Sequence, residues 1–131
     1  METIQVKTSS RVQFVDVTAR VREVIRRSGI SEGIAVLYVA HTTAGVTVNE
    51  AADPSVAEDI MGRLAHLVPL HANYRHGEGN SDAHIKASFL GSSVTLIVSH
   101  GEPVLGTWQG VFFCEFDGPR TRKLLVKVVP G

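Results

Sequence analysis

Gly33-Ile34-Ala35-Val36-Leu37-Tyr38-Val39-Ala40-His41-Thr42-Thr43-Ala44-Gly45-Val46-Thr47-Val48-Asn49-Glu50 is the stretch on which the fold turns. Its first eight residues form a nearly continuous apolar run of strand length, the pattern of a strand covered on both faces and central in its sheet. After the polar junction His41 to Thr43, the residues from Val46 to Glu50 alternate, with Thr47 and Asn49 on one face and Val46, Val48 and Glu50 on the other. A second strand therefore follows the first, and polar groups gather at the strand ends.

Working outward toward the N-terminus, Ile4 and Val6, then Val12 and Phe14, alternate with polar neighbours and predict two half-buried strands joined as a hairpin by Thr8-Ser9-Ser10. Val17, Val21, Val24 and Ile25 have helical spacing between Asp16 and Ser28, and Gly29 is placed to end that helix in the left-handed conformation. Toward the C-terminus, Asp53-Pro54 predicts a capped helix start, and Val56, Ile60, Met61, Leu64 and Leu67 mark its apolar stripe. Pro69 to Asn80 has no periodicity and reads as a long loop, a frequent seat of function. Ser81 or Asp82 is placed to cap a short helix carrying Ile85 and Phe89 and stopping at Gly91. Strands are expected around Val94 to Val98, from Gln109 to Phe116 and through Leu124, Val126 and Val128, the last two joined by the turn Asp117-Gly118-Pro119-Arg120. Two strands, a helix, two strands, two helices and three strands make a single α+β domain, because a doubly wound sheet requires regular βαβ alternation.

Composition narrows the partners. Apolar residues make up 44% of the 131 and charged residues 20%, a globular balance. Thirteen basic residues offset thirteen acidic ones, so no net field draws nucleic acid, and association between copies is not opposed by charge. Nothing approaches the ~20 consecutive apolar residues of a membrane span, so a soluble, cytoplasmic protein is expected. The lone cysteine, Cys114, falls in an apolar run and reads as core.

The residues with chemical potential are His41, Asn49, Glu50, Asp53, His76, Glu78, His84, Gln109 and Glu115, at strand ends and in the long loop. His41, His76 and His84 could supply three imidazole ligands to Zn²⁺ or a similar ion, with water in a fourth position, although their spacing matches no standard zinc motif. Glu50 and Asp53 suit acid/base work or Mg²⁺, with capping competing for Asp53. His66 and His71 read as surface residues. Gln109 and Glu115 share a strand face but stand roughly 20 Å apart at ~3.3 Å per residue, too far to serve one small atom. Arg120, with Arg122 beyond it, could offer a guanidinium to a phosphate, with a solvated turn arginine as the alternative. Walker, GxGxxG and GxSxG motifs are absent.

Gly91-Ser92-Ser93-Val94-Thr95-Leu96 followed by Leu105-Gly106-Thr107-Trp108-Gln109-Gly110-Val111 resembles the signature of the YjbQ-like (UPF0047) family. His41-Thr42-Thr43-Ala44, Val48-Asn49-Glu50, Asp53-Pro54, Tyr74-Arg75-His76, Ala83-His84-Ile85-Lys86 and Glu115-Phe116-Asp117-Gly118-Pro119-Arg120 agree with it, so the likeness covers almost the whole chain. The segment Glu78 to His84 departs from it by being shorter than in many relatives. The resemblance implies a mixed α+β sandwich with about three helices, assembled as a homotrimer with polar clefts between subunits. It is similar to proteins described as secondary thiamine-phosphate synthases, which join a pyrimidine diphosphate to a thiazole phosphate and expel diphosphate. On that likeness His41, Asn49 and Glu50 would be catalytic, and His41, His76 and His84 would hold a metal. Thr42, Thr43, Trp108, Gln109, Glu115 and Arg120 would bind the substrate, a small phosphorylated metabolite, with Trp108 stacking on a ring. The alternatives are a trimer that binds such a metabolite without catalysis and a metal-dependent hydrolase.

Overall fold

The computed structural model describes residues 1–131. The elements in chain order are β1 (Glu2–Lys7), β2 (Gln13–Asp16), α1 (Thr18–Ser28), β3 (Gly33–Val39), β4 (Ala44–Glu50), α2 (Pro54–Leu67), α3 (Ser81–Leu90), β5 (Ser93–Ser99), β6 (Glu102–Pro103), β7 (Gln109–Glu115) and β8 (Thr121–Pro130). They form an α+β fold of two sheets, a five-stranded one in the order β1-β8-β3-β5-β6 and a three-stranded one in the order β2-β7-β4. Every pairing is antiparallel.

The predicted N-terminal hairpin does not form. Ile4 of β1 pairs with Leu124 of β8, whereas Phe14 of β2 pairs with Cys114 of β7, so the chain crosses from one sheet to the other between them. Local alternation fixes that each segment is a strand, but its partner is chosen by distant sequence. The facing sheets and α1 enclose a core of 17 buried residues, including Val21, Ile25, Leu37, Val39, Val46, Phe113 and Leu124. α1 ends where expected, on Gly29 with φ 71°.

Strand β3 is central, between β8 and β5, but it is not covered on both faces. Its Ala35, Leu37 and Val39 are buried, while Ile34 and Tyr38 remain 42% and 46% exposed. Together with Ile97 on β5, 63% exposed, they leave the outer face of the larger sheet partly apolar and uncovered by this chain.

Helices α2 and α3 lie by the outer face of the smaller sheet, over Phe112, Cys114 and Phe116. Asp53 caps α2, its Oδ1 accepting from the Ser55 amide at 3.0 Å, yet none of the helix's apolar stripe is buried. α3 forms where expected and stops at Gly91, but its apolar residues are not its buried face. Asp82, Ala83, Lys86 and Ala87 face inward, and Ile85 and Phe89 are 37% and 70% exposed. Asp82 does not cap the helix; its carboxylate takes Arg11 at 3.0 and 3.1 Å and Lys86 at 2.9 Å. Small alanines bring the helix close, and the ionised pair stays inside because each charge has a partner. No helix is long and apolar enough to cross a membrane.

Candidate functional site

The junction between β3 and β4 carries the site. Because β3 is held on both edges, its end has a fixed position, and His41-Thr42-Thr43 leaves it where α3 and the turn before β8 converge. Two contiguous depressions result, of about 520 and 660 Å³, sharing His41, Thr42 and Ser92. One side is walled by His84, Ala87, Ser88 and Gly91 from α3 and its end, the other by Tyr38, Arg120 and Arg122. No acidic side chain lines either one.

The floor is a buried polar network. Arg122 and Glu115, both on strand faces that look into the sandwich, form an ion pair with side chains 2% and 0% exposed. Arg122 Nε donates to the two carboxylate oxygens at 2.9 and 3.1 Å, and Nη2 donates to Glu115 Oε2 and, at 2.8 Å, to Thr43 Oγ1. Thr8 Oγ1 and the Asp117 amide donate to the same carboxylate at 2.8 and 3.0 Å. Burial disfavours the charge on Glu115, but the hydrogen bonds from Arg122, Asp117 and Thr8 and the Arg122 charge outweigh it and hold its pKa below the ordinary value. Glu115 is thus a holder of Arg122, with both oxygens occupied inside the protein.

His41 accepts a hydrogen bond at its Nε2 from the Lys123 amide at 3.0 Å. Burial first, then the charge of Arg122, lowers its pKa, with Glu115 opposing, so the neutral ring protonated on Nδ1 prevails at neutral pH. The pinch between β4 and α3 is tight: a Cβ on Gly45 would come 2.7 Å from the Gly91 carbonyl oxygen. Only glycine lets α3 sit this near the strand, and that distance sets the opening of the cleft.

The expected residues separate into groups. His41, Thr42, Arg120 and His84 line the cleft, and Thr43 lies in its floor. His76 meets His84 edge to face, with ring centroids 5.3 Å apart, and both line a neighbouring depression with Tyr74, Arg75 and Ser81. No group of three or more His, Cys, Asp or Glu side chains gathers, so the three-histidine metal centre expected of His41, His76 and His84 is not assembled within one chain. Asn49, Glu50, Trp108 and Gln109 stand at the opposite end of β4, where Glu50 pairs with Gln109. β4 spans six residue steps, roughly 20 Å at ~3.3 Å each, so His41 and Glu50 do not form one catalytic group within the chain. Trp108, 64% exposed, is away from the cleft, and Gln109 turns back to accept from the Gly106 amide at 2.8 Å.

Ser88 and Ser92 are not prominent in the sequence. Arg122 stands out only as a second arginine beyond Arg120; its burial is signalled by the strand parity it shares with Leu124 and Val126, since an arginine on a core-facing stripe requires a buried partner.

The family model described as "UPF0047 protein YjbQ-like" matches residues 2–131. The chain belongs to the YjbQ-like UPF0047 family. A UPF0047 protein of Methanocaldococcus jannaschii is 55% identical over 95% of this chain and 91% of its own length, and UPF0047 protein YugU of Bacillus subtilis is 46% identical over 98% of each. The crystal structure of an uncharacterised YjbQ/UPF0047 protein from Clostridium acetobutylicum is similar at a TM-score of 0.97 with 50% identity, covering 98% of this chain and 100% of that one. A YbjQ-like protein of unknown function from Sulfolobus solfataricus gives 0.95 with 34% identity, over 99% and 96%. The UPF0047 fold is therefore shared along essentially the whole chain.

Proposed function

We propose that this UPF0047 protein binds a small phosphorylated metabolite in the cleft between β3, α3 and the start of β8. The observation that carries this reading is the lining: two arginines and two imidazoles, with no carboxylate among them. Glu115 and Asp117 hold the two guanidiniums from behind, and the face turned to the cleft presents N–H donors with no carboxylate, a surface suited to phosphate oxygens.

The reaction proposed for the site is the joining of a pyrimidine diphosphate to a thiazole phosphate. The departing diphosphate would be stabilised by the arginines, and His41 or His84 would handle protons. Mg²⁺ would come with the diphosphate, since that ion is commonly held largely by substrate phosphates. The partly apolar outer face around Ile34, Tyr38 and Ile97 supports association into a homotrimer, and Tyr38 joins that face to the cleft.

The protein is incubated with both substrates and Mg²⁺, and diphosphate release is followed. Release that falls with His41→Ala and His84→Ala, in variants that keep wild-type circular dichroism, supports the synthase. Absence of release, with thermal stabilisation by small phosphate esters retained, leaves a binding protein. If neither release nor stabilisation occurs, the phosphorylated-metabolite reading fails. A monomer by light scattering at tens of micromolar would refute the trimer.

A further inference from the structure

Arg120 and Arg122 are held in the same way. Arg122 commits Nε and Nη2 to Glu115 and Thr43, as described above. Arg120 commits Nε to the Asp117 carbonyl at 2.9 Å and Nη2 to Asp117 Oδ2 at 3.1 Å. Asp117 is itself held by Asn80 Nδ2 at 2.9 Å. Nη1 of each arginine has no hydrogen-bond partner in the chain. Arg122 is 2% exposed, yet its Nη1 is not among the enclosed unpartnered atoms, so its remaining exposure opens on the cleft it lines. Across the cleft, the wall of His84, Ala87, Ser88 and Gly91 has no permanently charged group.

We propose that the ligand's phosphate docks on the two free Nη1 nitrogens at the Arg120–Arg122 end of the cleft, and that its uncharged ring lies along the α3 wall beside His84 and Ser88. This rests on the phosphorylated-metabolite reading and adds an orientation to it. A guanidinium already fixed through two of its nitrogens loses little freedom on receiving a ligand, which is the energetic benefit of preorganisation. Phosphate offers oxygens in several directions to two donors on separate side chains, where a planar carboxylate has only two oxygens. His41, its Nε2 engaged by Lys123, has Nδ1–H as its remaining donor and stands between the two ends.

Inorganic phosphate and phenyl phosphate are titrated calorimetrically into wild type, Arg120→Gln, Arg122→Lys and His84→Ala. Arg120 is half exposed, so its variant should fold even if Arg122→Lys does not. Arg120→Gln should weaken both probes alike, by about tenfold or more for the loss of a charged hydrogen bond. His84→Ala should remove the preference for phenyl phosphate over inorganic phosphate. Equal binding of both probes by Arg120→Gln and wild type, or a larger loss of inorganic phosphate in His84→Ala than in Arg120→Gln, overturns the orientation. If wild type binds neither probe, the phosphorylated-metabolite reading fails and the orientation fails with it.

Discussion

Replacing Glu115 with Gln keeps the shape of the side chain and removes the charge that Arg122 faces. The wild-type carboxylate is 0% exposed and accepts from Thr8, Arg122 and the Asp117 amide. A guanidinium 2% exposed, open to the cleft only at its unpartnered Nη1, finds little water to compensate for the lost charge. Breaking a buried pair on one side costs about 3–5 kcal/mol, a large part of the roughly 5–15 kcal/mol that holds a typical domain together. Urea unfolding at pH 7 should show a lower midpoint with an unchanged slope. Glu115→Leu combined with Arg122→Met removes both charges together, so it should recover most of the loss and give a favourable coupling energy of several kcal/mol in the double-mutant cycle. It should nevertheless fail to bind phosphate. A Glu115→Gln loss below about 1 kcal/mol, or a double variant as unstable as the sum of its singles, would refute the view that this pair is a desolvated, mutually dependent unit.

Asp82→Ala should destabilise by about 3–5 kcal/mol by stranding Lys86, whereas Phe89→Ser should change stability by no more than about 0.5 kcal/mol; thermal unfolding of both variants tests the orientation of α3. Acid should unfold the protein through its buried carboxylates. Glu115 and Asp82 both have pKa values below their ordinary 4.5 and 3.8, because bonded cations outweigh the burial that opposes ionisation. Their stabilisation is complete above those ordinary values and lost as pH falls through the lower folded ones, and a pH series of urea midpoints should fall in that acid range and fall less in the Glu115→Leu/Arg122→Met, Asp82→Asn background, where the lowered Asp53 carboxyl remains. Gly45→Ala should cost about 1–3 kcal/mol by overpacking against Gly91, and hydrogen exchange should quicken first at the end of α3.

Much of the architecture can be read from periodicity. The apolar run at β3, the Gly29 stop and the Asp53-Pro54 start all produce the expected elements, because each is a local preference that the tertiary structure does not oppose. Partners were less legible. β1 and β2 read as a hairpin since their turn residues are ordinary, but the choice between neighbour and distant strand lies in the register of β7 and β8. The extent of α3 is legible but its buried face is not, because its apolar residues are spread around the helix and a buried Asp82–Lys86 pair substitutes for apolar contact. For the site, His41 at a strand end was recognisable, while the separation of His41 from Glu50 required knowing that β4 runs straight between them.

The cleft's two imidazoles stand on foundations of different stiffness. His41 extends from a strand bonded along both edges, whereas His84 is carried by a helix resting on the outside of the smaller sheet. The separation of the rings is therefore a gauge of how that helix is seated, and the stop that limits its travel is a backbone touching a backbone at a residue with no side chain. A substitution there could change which molecules fit without altering a single group that meets them.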